Sequence, residues 1–279
     1  MLPSVLFVFV MIIFPLAYNF SISFTEWSLS SITPPKFVGL KNYFDLLKDS
    51  RFLLSVVRTM SFSLGALILQ VIFGVSFAVF INRKFIGKEF IKTALLLPMV
   101  MTPVAVGMIW MLIFEPTIGL ANHIFQFLGI SPLVWLGDQN TALISLIIVD
   151  IWEWSPMIAL VTLAGLSALP EEPYESARVD GANSWQILWR ITIPMISSTV
   201  LIAALLRLID VLKTFDIIYS TTQGGPGFAT ETINIFGYLQ AFQYFKFGSA
   251  SAVLVMFFVF IFLCLLVFMK VKQKLVVER

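Results

Sequence analysis

Residues Glu175–Pro194 read ESARVDGANSWQILWRITIP, a polar stretch set between two long apolar runs. Its position decides the fold, because it marks where the chain leaves one apolar helix and prepares the next. The run over 142–168 ends at Leu169-Pro170, and a second run covers 195–213. Pro173 suits the first turn of a helix, where its missing N–H costs nothing, and Glu171 and Glu172 suit the positive end of the helix dipole. Asp180-Gly181 breaks that helix, since glycine readily takes the left-handed conformation that ends one. Asn183 or Ser184 then caps a second short helix through Arg190, and Pro194 opens the next apolar run. Ala177, Ala182, Trp185, Leu188 and Trp189 supply small and aromatic surface of the kind that fits a groove on another protein.

The apolar runs dominate everything else. The chain has 279 residues, 59% hydrophobic and 12% charged. A soluble domain has roughly 45–50% apolar and about 25% charged residues. So few polar groups cannot cover a soluble surface of this size, so the bilayer is the main solvent. The net charge of +2 gives no reason to expect nucleic acid. The single cysteine, Cys264, excludes an intrachain disulfide, and the single histidine, His123, excludes a multi-histidine site.

A hydrocarbon layer about 30 Å thick needs roughly 20 mostly apolar residues in a helix. Six stretches qualify, at about 4–24, 56–81, 91–114, 142–168, 195–213 and 249–269. The first reads as a span and not a signal peptide, having no basic n-region and no small-residue cleavage site. The fold expected is therefore an all-α integral membrane protein of six transmembrane helices, one membrane domain over 1–279. Cations set its direction. Arg83, Lys84, Lys88 and Lys92 crowd the loop 82–92, Lys270, Lys272, Lys274 and Arg279 follow the last span, and 115–141 has no lysine or arginine. Both termini, and the 170–194 loop, are thus expected in the cytoplasm. Residues 40–54 carry Leu40, Tyr43, Phe44, Leu47 and Phe52 near helical spacing, as in a short helix lying on the outer leaflet.

No G-x-x-x-x-G-K-[ST] occurs, and the glycines at 224–227 lack a following lysine, so no phosphate cradle is expected. No histidine pair, cysteine cluster or nucleophile–base–acid set is present either. What remains are ionisable residues inside spans, each costing about 2.5–3.5 kcal/mol at a helix centre. Asp150 and Glu153 lie one turn apart on the fourth span. Arg207 and Asp210 share a face of the fifth and are placed to neutralise each other. With Trp152, Trp154 and Phe215 they are the candidate lining of a polar pathway.

The pattern Glu175-Ser176-Ala177, Asp180-Gly181-Ala182, then Ile191-x-Ile193-Pro194 resembles the EAA loop of bacterial ABC importer permeases, with Ser176 where alanine is usual. Phe37-Val38-Gly39-Leu40-Lys41-Asn42-Tyr43, Trp152-Glu153-Trp154-Ser155-Pro156, Thr214-Phe215-Asp216-Ile217-Ile218-Tyr219, Gly224-Gly225-Pro226-Gly227 and Thr230-Glu231-Thr232 resemble the carbohydrate-uptake branch, its maltose-type or glycerol-phosphate-type first permease. The resemblance implies a type I permease fold in a bacterial or archaeal cytoplasmic membrane. It implies a second permease, two copies of an ABC ATPase, an extracytoplasmic solute-binding protein and a sugar-like substrate. ATP and magnesium would sit on the ATPase subunits, with no cofactor on this chain and no catalysis by it. Glu175, Ala177, Asp180, Gly181, Ala182, Ile193 and Pro194 would couple to the ATPase. Asp150, Glu153, Arg207, Asp210 and Phe215 are the candidate substrate pathway. A secondary transporter using the same charges as an ion relay, a membrane-embedded enzyme, or an importer of a non-sugar solute are the alternatives.

Overall fold

A computed structural model describes residues 2–30, 34–83 and 85–277. Lys84 and Arg279, counted above among the inner cations, lie outside them. Helix α1 spans Leu2–Ser23, and its side chains from Leu6 onward are largely exposed, as a lipid-facing or partner-facing helix requires. A two-residue antiparallel pair, β1 (Thr25–Glu26) and β2 (Lys36–Phe37), is the one departure from an all-helical chain among the described residues.

The expected outer helix over 40–54 is two helices. Helix α2 covers Lys41–Lys48 and α3 covers Ser50–Ile81. Asp49 is extended between them, and its carboxylate accepts from the Arg51 N–H at 2.8 Å, so it caps α3. Leu46 and Phe52 therefore bury together from different helices, against Ile233, Phe236 and Phe257.

The stretch expected as one span over 91–114 is broken. Helix α4 (Lys88–Val100) and α5 (Pro103–Ile113) meet at 102°. Thr102 precedes Pro103, whose ring disfavours the helical conformation for the residue before it, and both Met101 and Thr102 are extended. The described residues thus hold five long apolar helices, or six spans with this bent pair counted as one. Helix α6 (Leu120–Phe127) leads into α7 (Ala142–Ser167). In the connection between α5 and α6, Glu115 accepts from the Ile118 and Thr117 N–H groups and the Thr117 hydroxyl. The Ile118 N–H foremost holds this carboxyl below the usual range, so the turn loosens only as pH falls through that lowered value.

Helices α3 and α7 form the centre of the bundle. Two glycines let them approach: a Cβ on Gly74 would meet the Ile158 Cβ at 2.6 Å, and one on Gly65 the Ile147 Cδ1 at 3.0 Å. Around them pack α10 (Ile193–Leu212), α11 (Asp216–Thr221), α12 (Ile233–Phe242) and α13 (Phe247–Val277). Phe62, Leu146, Val149, Leu208, Val211 and Ile218 make the shared apolar core.

Candidate functional site: the loop before α10 and a buried polar knot

The loop over 170–194 folds as two short helical pieces. Helix α8 spans Glu172–Val179, with Pro173, Glu172 and Glu175 in its first turn and Arg178 in its last. It ends in a paired cap: the Gly181 N–H donates to the Arg178 carbonyl at 3.1 Å and the Ala182 N–H to the Ala177 carbonyl at 2.9 Å. Gly181 takes φ +78°, which this motif demands. Ala177 is buried beneath the turn, whereas Glu175 and Asp180 are exposed. Val179, 88% exposed beside Asp180, is an apolar knob that pattern reading passed over. Asn183 caps α9 (Ser184–Ile187) in a reciprocal box with Gln186, each bond 2.8–2.9 Å.

The second piece does not stop before the span. The Ile193 N–H reaches back five residues to the Leu188 carbonyl, a π turn over 188–192, and the helix continues as α10. Pro194 therefore lies within a continuous helical run and does not open it. A proline ring clashes with the carbonyl four residues back, and a widened turn relieves that clash without ending the helix. Ile193 packs against Ala78, Leu166 and Ile196 inside the bundle, away from the turn at 180–182.

The two tryptophans also differ from expectation. Trp185 and Trp189 are exposed, but they line a groove with Val75, Val79 and Phe80 of α3. A separate, smaller hollow is lined by Asp180, Gly181, Ala182, Gln186 and Arg190. The loop thus has two faces, an aromatic one toward the membrane helices and a polar one at the turn.

Inside the bundle, three helices share one knot of polar side chains. Arg207 of α10 donates to the Asp150 carboxylate of α7 at 2.6 Å and to the Gln70 Oε1 of α3 at 3.0 Å. Gln70 donates in turn to the Asp150 Oδ2 at 2.7 Å and to its backbone carbonyl at 2.9 Å. The Arg207 guanidinium lies over the Trp154 ring at 4.9 Å. All three knot residues are 0–1% exposed. Arg207 does not pair with Asp210, as the shared face suggested; Asp210 meets Lys213 at 3.4 Å, half exposed. The buried aspartate on a neighbouring helix gives the guanidinium a stronger and drier partner than a solvated residue on its own helix. Glu153, also fully buried, has neither carboxylate oxygen in a hydrogen bond of good geometry with the described residues; Trp154 is its neighbouring donor.

Phe215 sits in an aromatic cluster, stacked on Tyr219 at 5.2 Å and tilted on Tyr238 at 5.2 Å, with Phe242 against Tyr238 at 4.9 Å. Tyr238, Phe242, Asn234 and Phe215 line a cavity of about 310 Å³. Trp152 instead meets Trp110 edge-on at 5.7 Å.

A second ion pair was not foreseen. Arg51, at the start of α3, forks onto Glu231 with bonds of 2.8 and 2.7 Å and donates to the Tyr244 hydroxyl at 3.0 Å. Phe228 covers the guanidinium at 3.9 Å, and Glu231 is fully buried. Among the described residues no group of three His, Cys, Asp or Glu side chains is arranged to hold a metal ion.

Residues 70–277 match the family described as binding-protein-dependent transport system inner membrane component. The chain is 36% identical over 273 residues to the trehalose/maltose transport system permease protein MalF of Thermococcus litoralis, covering 97% of this chain and 91% of that one. It is 38% identical over 242 residues to the probable ABC transporter permease protein y4oQ of Sinorhizobium fredii, covering 86% and 77%. Among solved structures, it shares its fold with a bacterial ABC transporter involved in the import of the acidic polysaccharide alginate. The TM-score there is 0.84 at 21% identity, over 98% of this chain and 93% of the other.

Proposed function

The chain belongs to the family of binding-protein-dependent transport system inner membrane components, and on that premise we propose that it is a permease subunit of an ATP-driven carbohydrate importer. With a second permease it forms the pathway for a sugar delivered by an extracytoplasmic solute-binding protein. Two ATPase subunits, which hold the nucleotide and magnesium, dock on the turn at 180–182, and this chain performs no covalent chemistry. Both termini lie in the cytoplasm. Relatives named for trehalose/maltose and for starch degradation products support the sugar class.

One observation carries the coupling role: the exposed turn of Val179, Asp180 and Gly181, held on α8 by its cap, passes through the Asn183 capping box directly into α9, a helix that runs unbroken through the π turn into α10. A push on the turn moves a spanning helix and is not absorbed in a loop. The transporter then needs two states, biased by ATP on one side and by the loaded binding protein on the other. Glu175, Ala177, Asp180, Gly181 and Ala182 shape the docking turn, and Ile193 and Pro194 join it to the span. In the pathway, the aromatic faces around Phe215 suit stacking on a sugar ring, and the buried Glu153 carboxylate beside Trp154 is the candidate for sugar hydroxyls once the bundle opens. Asp150 and Arg207 hold each other and position the helices around them, and Asp210 stays with Lys213.

The test is uptake by the reconstituted transporter carrying Gly181→Val or Glu175→Lys. A Cβ at 181 would meet no atom within 4 Å, so the penalty is backbone strain of about 1–2 kcal/mol, local to the turn. Expected is assembly in the membrane with uptake lost. ATP-driven uptake at the normal rate in both variants would sink the coupling assignment.

A further inference from the structure

An apolar groove runs along the outside of the bundle between α3 and α10. Val75 and Val79 form one wall, Ile193 and Val200 the other, and its volume is about 650 Å³. The lining of α3 extends from residue 71 to residue 83, a rise of about 18 Å. That is close to one leaflet of a hydrocarbon core about 30 Å thick. At one end the chemistry changes. Arg83, Trp185 and Trp189 close the mouth, the two indoles packed edge to face at 5.6 Å. Arg83 is the sole charged residue among those lining the groove. It is exposed and forms no ion pair with the described residues.

We propose that this groove binds one acyl chain of an anionic phospholipid, with the lipid phosphate on Arg83 and the headgroup level marked by Trp185 and Trp189. Tryptophan is the residue that settles at the headgroup boundary, and an arginine there is matched in charge to a phosphate oxygen. The charge chooses between occupants: an otherwise apolar groove about one leaflet long that ends in a single exposed arginine is complementary to an acyl chain below an anionic headgroup, whereas an apolar partner helix would bring that charge no counter-ion. The bound lipid would touch α9 directly behind the turn at 180–183, so the coupling element would rest partly on lipid.

The assembled transporter is reconstituted in nanodiscs containing brominated phosphatidylglycerol or brominated phosphatidylcholine, and tryptophan fluorescence is recorded. The signal of Trp185 and Trp189 is the difference between the parent chain and its Trp185→Phe/Trp189→Phe variant. Expected is quenching of that component at about fivefold lower mole fraction of the anionic lipid, the worth of one basic residue at an anionic surface. Arg83→Gln should erase the preference while leaving quenching by bulk lipid. Equal quenching by both lipids, a preference that survives Arg83→Gln, or a component that lipid cannot quench because protein covers it would each overturn the proposal.

Discussion

Removing one charge of the knot should be far worse than removing both. Asp150→Leu leaves the Arg207 guanidinium, 1% exposed, with only the Gln70 oxygen and the Trp154 face. Stripping one partner from a buried ion pair costs about 3–5 kcal/mol, because the other charge stays desolvated. Arg207→Met should cost a similar amount, since Asp150 would keep only the Gln70 amide. The double variant Asp150→Leu/Arg207→Met leaves no buried charge in the knot and strands only Gln70. Its cost is that of the stranded amide, about 1–3 kcal/mol. Gln70→Leu alone should cost about 2 kcal/mol, because it removes three hydrogen bonds and those between membrane helices average about 0.6 kcal/mol each. The double-mutant cycle therefore predicts a coupling energy of about 3 kcal/mol or more between Asp150 and Arg207. Unfolding of the purified transporter by SDS titration in mild detergent measures it. Single variants within about 1 kcal/mol of the parent chain, or costs that simply add in the double variant, would refute the premise that this pair is dry and mutually dependent.

Two further outcomes follow from packing and from the second ion pair. Gly74→Leu should lower the unfolding midpoint by the equivalent of about 1–3 kcal/mol, because its Cβ would sit 2.6 Å from the Ile158 Cβ; an unchanged midpoint would mean that α3 and α7 do not approach so closely. Arg51→Met strands the buried Glu231 carboxylate and should open the 222–232 segment to proteolysis at rates well above the parent chain, whereas Arg51→Met/Glu231→Leu should restore most of the protection.

The spans were legible because the bilayer imposes one crude rule, a long apolar run, and α3, α7, α10 and α13 obey it. Breaks depend on subtler signals. The bend between α4 and α5 follows from Thr102-Pro103 inside a run whose hydropathy alone reads as continuous. The turn at Gly181 and the cap at Asn183 were readable, since each rests on a local residue preference. The π turn was not: Pro194 signals a helix start and a tolerated kink with equal force, and only the packing of Ile193 and Ile196 against α3 and α7 shows that the helix continues.

The polar contacts show where reading from one strand of sequence ends. Local spacing offered Arg207 the wrong partner, Asp210, one turn away on the same helix. The true partners are 57 and 137 residues distant, on two other helices. Sequence neighbours are cheap to propose, but the energy lies in water exclusion, which three helices create only together. Asp210 keeps water and a lysine at half exposure, where an ion pair is worth at most about 1 kcal/mol. Asp150 has no water to lose to, so its attraction for Arg207 is multiplied by the low dielectric around it. The same logic hid Arg51 and Glu231, 180 residues apart. For Asp150, Arg207 and Glu231 the charge is met by a partner from another helix or segment, and the identity of that partner is a property of the packed bundle.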